Sequence, residues 1–139
     1  MHPRTPHEPS DIYTIVNSSG ASSFEVIKKG DETFELLKKA DALITVSSTV
    51  ILEALMLDKE CVVADYLAGE SRLEYGPYDA THTIEREEEI FDAMKKSLLY
   101  KSSYQNKKKL LEDELYKLDG QAGLRTARLI ESLVRSDHT

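Results

Sequence analysis

The sequence predicts an α/β fold, a Rossmann-like three-layer arrangement of a parallel sheet with helices on both faces. Three observations carry this expectation. Two short, apolar, β-branched runs, Ala-Leu-Ile-Thr-Val over 42–46 and Cys-Val-Val-Ala over 61–64, read as buried strands. Between them, residues 50–57 are apolar at every position except Glu53, as a packed helix requires. The last fifty residues then hold three helix-length segments. Strands that alternate with helices form βαβ units, and these close into parallel sheets.

Each element follows from local chemistry. Three prolines within 2–9 mark a turn or extended entry. Ser10-Asp11 is an N-cap signal, and Ile12, Ile15 and Val16 share one helical face, although the same β-branched residues would suit a strand. Ser18-Ser19-Gly20 ends that element, and Phe24-Glu25-Val26-Ile27 reads as a short strand. Asp31 caps a helix that runs to Ala40, with Phe34, Leu37 and Ala40 as its inner face. The strand over 42–46 and a helix over 49–57 come next, and Asp58-Lys59-Glu60 turns into the strand over 61–64. Residues 65–80 form a long loop with two glycines, a proline and three tyrosines. A strand over 81–84 and helices near 86–99, 103–117 and 121–135 complete the chain. In the last helix, Ala127, Ile130, Leu133 and Val134 form the stripe expected to be buried. Gly120 stops one helix, and Asp119 or the turn after it starts the next. Lys107-Lys108-Lys109 reads as a solvated helix start.

Composition narrows the classes of function. The 139 residues suit one domain over 1–139, long enough to hide roughly two thirds of the unfolded surface. Hydrophobic and charged shares of 40% and 31% are those of an ordinary globule, so no fibrous or disordered class is needed. A net charge of −7 weighs against nucleic-acid binding through a basic field. The single Cys61 cannot form an internal disulfide, and its strand setting reads as a core thiol in a reducing compartment rather than a nucleophile. No apolar run approaches 18 residues and no hydrophobic leader is seen, so no transmembrane segment and a cytoplasmic location are expected. No His, Cys or Glu grouping has metal-ligand spacing, so no metal and no cofactor are expected. His7 and His138 read as surface residues, and His82 as a strand residue.

The chemistry concentrates where the first buried strand meets its helix. Ser47-Ser48-Thr49-Val50 supplies hydroxyls and backbone N–H groups at a helix start, and that end of a helix attracts phosphate. Glu53 lies four residues after Thr49, on the same face, where a carboxylate can accept two hydrogen bonds from a ribose diol. The pattern suits a nucleoside diphosphate. The bland alternative is that Ser48 or Thr49 merely caps the helix and Glu53 pairs with a lysine.

The segment Ala-Asp-Ala-Leu-Ile-Thr-Val-Ser-Ser-Thr-Val-Ile-Leu-Glu-Ala-Leu over 40–55 resembles the nucleotide-binding segment of the two-Rossmann-domain (GT-B) glycosyltransferases. It looks closest to the UDP-N-acetylglucosamine 2-epimerase group and related surface-polysaccharide transferases. Downstream, Leu118-Asp119-Gly120-Gln121-Ala122 with Arg125 resembles that group's Asp-Gly-x-Ala-x-x-Arg element at the start of the last helix. Two motifs in the right order are more specific than either alone. The resemblance implies a GT-B C-terminal domain, truncated at its start and ending in several helices, that binds a nucleotide sugar, with UDP or a UDP-sugar as the ligand. It implies that Gly69-Glu70-Ser71-Arg72 corresponds, in part, to a loop that touches the nucleotide sugar. Glu70 and Arg72 are then candidate contacts, Arg72 as a phosphate clamp or as a plain surface arginine. It implies that His2-Pro3 matches a cleft element, which makes His2 a further candidate. Family members also carry an N-terminal Rossmann domain, which is expected to be missing here. The isolated chain is therefore expected to be inactive, and to form a homodimer or to pair with a separate N-terminal-domain chain around its N-terminal segment and ligand face. A non-catalytic nucleotide-binding or assembly module is the alternative.

Overall fold

The computed structural model describes residues 9–20, 23–27, 32–46, 48–67 and 75–136. The expected entry turn over 2–9 lies outside them except for Pro9, which is the first residue of a helix rather than part of the turn, and the Asp31 cap lies outside them too. The chain divides into two compact units, Met1–Lys39 and Ala40–Thr139.

The first unit contains α1 (Pro9–Ser18) and α2 (Thr33–Lys39). The ambiguous segment after Ser10 is helical. Its end is sealed by local bonds: the Ser18 and Ser19 hydroxyls donate to the carbonyls of Ile15 and Val16, and Gly20 follows at φ 73°. Residues 23–27 are not the short strand expected from Phe24-Glu25-Val26-Ile27. Four β-prone residues make a strand only when a ladder is there to pair with. Here Phe24 instead sets its ring 5.6 Å from that of Tyr13 in α1. In α2, Leu37 is buried as its spacing required, whereas Phe34 stays exposed beneath the Lys38 ammonium, 4.9 Å from its ring centre.

The second unit is α/β. Its sheet has three parallel strands in the order β1 (Ala42–Thr45), β2 (Glu60–Ala64), β3 (His82–Ile84). α3 (Val50–Met56) joins β1 to β2, and α4 (Ile90–Leu99), α5 (Tyr104–Leu115) and α6 (Ala122–Ser136) follow β3. The central strand β2 is buried at all five positions, as a parallel strand covered on both faces should be. Val62 and Ala64 join Ile84 of β3 and Ala93 of α4 in one cluster, flanked by Val46 and Ile90. The alternate residues Cys61 and Val63 point to the other face and are equally buried. There α3 packs through Ile51, Ala54 and Leu55, with α5 beside it. Among the described residues, no helix is long and apolar enough to cross a membrane.

Three expectations are corrected in this unit. β1 is not a buried strand: Ala42, Leu43 and Thr45 are half-buried and Ile44 is exposed, since β1 lies at the edge of the sheet with β2 on one side. Lys107 is not solvated: it is 1% exposed. It lies one turn before Leu110 and Leu111, on the face that α5 turns inward. The stripe of α6 is not buried either. Ala127 is exposed, and Ile130, Leu133 and Val134 are each more than half exposed. Periodicity shows that a helix has an apolar face, but it cannot say what covers that face.

Candidate functional site

In a parallel sheet, ligands bind beyond the carboxyl ends of the strands. Beyond β1, the chain turns through Ser48 and Thr49 directly into α3, so Ser48, Thr49, Val50 and Glu53 come together there. The turn is tight. The Ser48 hydroxyl accepts the Val50 N–H at 3.3 Å. The Ile51 N–H donates to the Ser48 carbonyl at 3.2 Å, and the Leu52 N–H to the Thr49 carbonyl at 3.0 Å. Thr49 adopts helical angles (φ −62°, ψ −14°) and its side chain makes no cap bond. Capping is therefore done by Ser48, and the first three N–H groups of α3 are engaged within the turn rather than free. Glu53, half-buried, stands one turn further along. Of the other sequence candidates, His2, Ser47, Glu70 and Arg72 lie outside the described residues.

The end of β3 carries charge that the sequence reading overlooked. Arg86 donates through Nε and Nη2 to Glu89 Oε1 at 3.0 and 2.7 Å, while Glu89 Oε2 accepts the Glu85 N–H at 3.0 Å. This knot holds the Glu89 carboxyl below its ordinary range, the Arg86 bonds being the main cause. It borders a cavity of about 610 Å³ between β3 and α4, lined among others by His82, Ile84, Arg86, Asp92 and Lys96. Both acidic and basic groups line it, and no residue of the α3 start does.

The strongest electrostatic feature lies at the opposite end of the sheet. The Lys107 ammonium donates to Glu60 Oε1 at 2.6 Å and to Asp58 Oδ1 at 2.9 Å. Glu60 is 3% exposed. Its other oxygen accepts the Ser102 N–H at 3.0 Å and lies 3.3 Å from His82 Nε2. Burial pushes the Glu60 carboxyl up, but the bonds from Lys107 and Ser102 outweigh it and the net shift is downward. Burial likewise pulls the Lys107 ammonium down, and Glu60 and Asp58 together carry it above its ordinary range. The Asp58 carboxyl is lowered, chiefly by its bond from Lys107. The network ties the base of β2 to the start of α5, and its Asp58 and Glu60 also line a cavity of about 320 Å³ bordered by Asp41, Ser97 and Lys101. Two signals in the sequence mark it: a lysine in register with the Leu110–Leu111 stripe, and a glutamate directly before a buried strand.

Cys61, next along β2, is fully buried, and that burial pushes its thiol up to about 12. It is a core residue and not a nucleophile. Among the described residues, no three His, Cys, Asp or Glu side chains are grouped to hold a metal ion. The second resembling motif, near the start of α6, forms a joint. Asp119 Oδ1 accepts the Gln121 N–H at 3.0 Å, and both its oxygens accept Arg125 Nη1 at 2.7 Å. The Arg125 guanidinium in turn lies 5.7 Å from the centre of the Tyr116 ring. The motif's aspartate and arginine thus serve the helix junction.

The chain matches no protein-family model, no curated protein and no solved structure.

Proposed function

We propose that this chain is a Rossmann-like nucleotide-sugar-binding domain, related to the C-terminal half of GT-B epimerases and glycosyltransferases. In this reading it holds the UDP part of a UDP-sugar at the start of α3, for an enzyme of polysaccharide biosynthesis completed by a second domain. One observation carries the reading: Ser48, Thr49, Val50 and Glu53 stand together just beyond the carboxyl end of β1 in a parallel sheet. The Val50 N–H makes a long bond to Ser48, 3.3 Å, which a diphosphate oxygen can replace with a shorter, charge-assisted one. The Ser48 hydroxyl is then free to donate to the same phosphate. Glu53, one helical turn away, accepts both ribose hydroxyls. The two sequence motifs, in family order, supply the identity of the nucleotide. Ser47, Glu70, Arg72 and His2 complete the proposed set of contacts. A cytoplasmic location belongs to the same reading, since nucleotide sugars and a reduced Cys61 are both found there.

Calorimetric titration with UDP, CDP and UDP-N-acetylglucosamine tests the reading. UDP and its sugar bind with weak to moderate affinity, and CDP binds less well. The isolated chain turns over none of them, because the cleft of such enzymes is built from two domains. Robust epimerisation or transfer by the purified chain would contradict the proposal. A second reading, a non-catalytic assembly module, is favoured by one observation: the N–H groups of Val50, Ile51 and Leu52 are already bonded within the turn. Failure of every nucleotide to bind would favour that alternative.

A further inference from the structure

His82 opens β3 and pairs in register with Val62. It alternates with Ile84, so its ring lies on the sheet face that α4 covers. That face borders the cavity of about 610 Å³ between β3 and α4, and His82 is part of its wall. The volume is that of a small-molecule site. The ring is pinned on one side. Nε2 lies 3.3 Å from Glu60 Oε2, and Glu60 is itself held by the Lys107 ammonium and the Ser102 N–H. Its carboxyl, kept below the ordinary range, is ionised at neutral pH and can only accept hydrogen bonds. Nε2 therefore carries the hydrogen of the neutral imidazole, and Nδ1 keeps the lone pair.

Nδ1 has no hydrogen-bond partner among the described residues. No described side-chain nitrogen or oxygen is both enclosed and unbonded, so Nδ1 is an open acceptor. With the side chain only 20% exposed, the cavity is the way to it. The other groups on the wall narrow the ligand. Arg86 is bonded to Glu89. Among the described residues, Lys96, Glu88 and Asp92 make no ion pair. Lys96 can hold one negative charge, and the two carboxylates repel a second. Carboxylates and an imidazole nitrogen are acceptors, so they suit a ligand rich in hydroxyl donors. We propose that this cavity binds a polyhydroxylated monocarboxylate, a sugar acid in chemical class. Lys96 meets its carboxylate, His82 Nδ1 accepts one hydroxyl, and Glu88 and Asp92 accept others. Glu60 is the positioning residue: it fixes the tautomer of His82 and touches no ligand. No residue of the α3 start lines the cavity, so the inference uses none of the nucleotide contacts.

NMR of the labelled full chain at pH 8 tests it. Long-range 1H–15N spectra, assigned through the backbone, should show the His82 ring as the Nε2–H tautomer. Gluconate should shift the His82 ring signals with a saturating, millimolar dependence. Hexanoate has the same charge and carbon chain without the hydroxyls. It leaves the acceptors unpaired and should bind at least tenfold more weakly. Lys96 is exposed, so Lys96→Met keeps the fold. It should weaken gluconate at least fivefold with unchanged circular dichroism. An Nδ1–H tautomer, no shift on adding gluconate, equal affinity for hexanoate, or indifference to Lys96→Met each overturns the inference.

Discussion

Replacing Lys107 with methionine keeps most of the side-chain volume and removes the charge. Glu60, 3% exposed, then loses the donor at 2.6 Å. Removing one partner of a buried ion pair costs about 3–5 kcal/mol, because the other charge is left in a poorly polarisable site. Two features hold the cost to the lower end. Glu60 keeps the Ser102 N–H at 3.0 Å, and Asp58, the other partner, is largely exposed and rehydrates. The expected loss is therefore about 3 kcal/mol, or roughly 10 °C in Tm for a chain of this size. Urea denaturation at pH 7, followed by circular dichroism, measures it directly. The double variant Lys107→Met/Glu60→Leu removes both charges of the pair and should recover to within about 1 kcal/mol of the parent, and its difference from the sum of the two single-variant losses is the coupling energy. A Lys107→Met chain within about 0.5 kcal/mol of the parent would show that the network contributes no more than a surface pair, and the reasoning would fail.

The same network sets the pH profile. Glu60 has a folded pKa below its unfolded one, so its contribution is present above about pH 4.3 and is lost as pH falls through the folded value. Lys107 is shifted upward, so its contribution is complete below about pH 10.4 and fades as pH rises through the folded value. Urea midpoints taken across pH 3–11 should show both limbs, and a flat profile below pH 4 would remove Glu60 from the account. Cys61, with its thiol near 12 and fully buried, should react with Ellman's reagent at pH 8 about a thousandfold more slowly than a free thiol, and at the ordinary rate in denaturant. Fast labelling of the folded chain would place it at the surface.

Much of the second unit was legible in the sequence because its signals are local and mutually consistent. The β-branched runs became β1 and β2, and the apolar stretch between them became α3. The strand over 81–84 and the three closing helices appeared within a few residues of their expected ends. What was not legible depends on partners far away in the chain. Phe24-Glu25-Val26-Ile27 has strand composition but no ladder beside it. Lys107 reads as solvated among its neighbours Lys108 and Lys109, and only a carboxylate 47 residues away at Glu60 makes its burial possible. The stripe of α6 has the period of a buried face, but the second surface it needs is not written in that period. At the candidate site, the grouping of Ser48, Thr49, Val50 and Glu53 followed from the strand–turn–helix order. The internal bonding of the turn did not, since it depends on how tightly Ser48 folds back on Val50.

The central claim is that the turn between β1 and α3 receives a nucleoside diphosphate whose ribose is held by Glu53. Isothermal titration of UDP into the full chain and into Glu53→Ala tests it most directly. The parent should bind, and the variant should lose about 1–3 kcal/mol, the worth of charged hydrogen bonds. Equal affinity in the two proteins, or no binding by either, would contradict it.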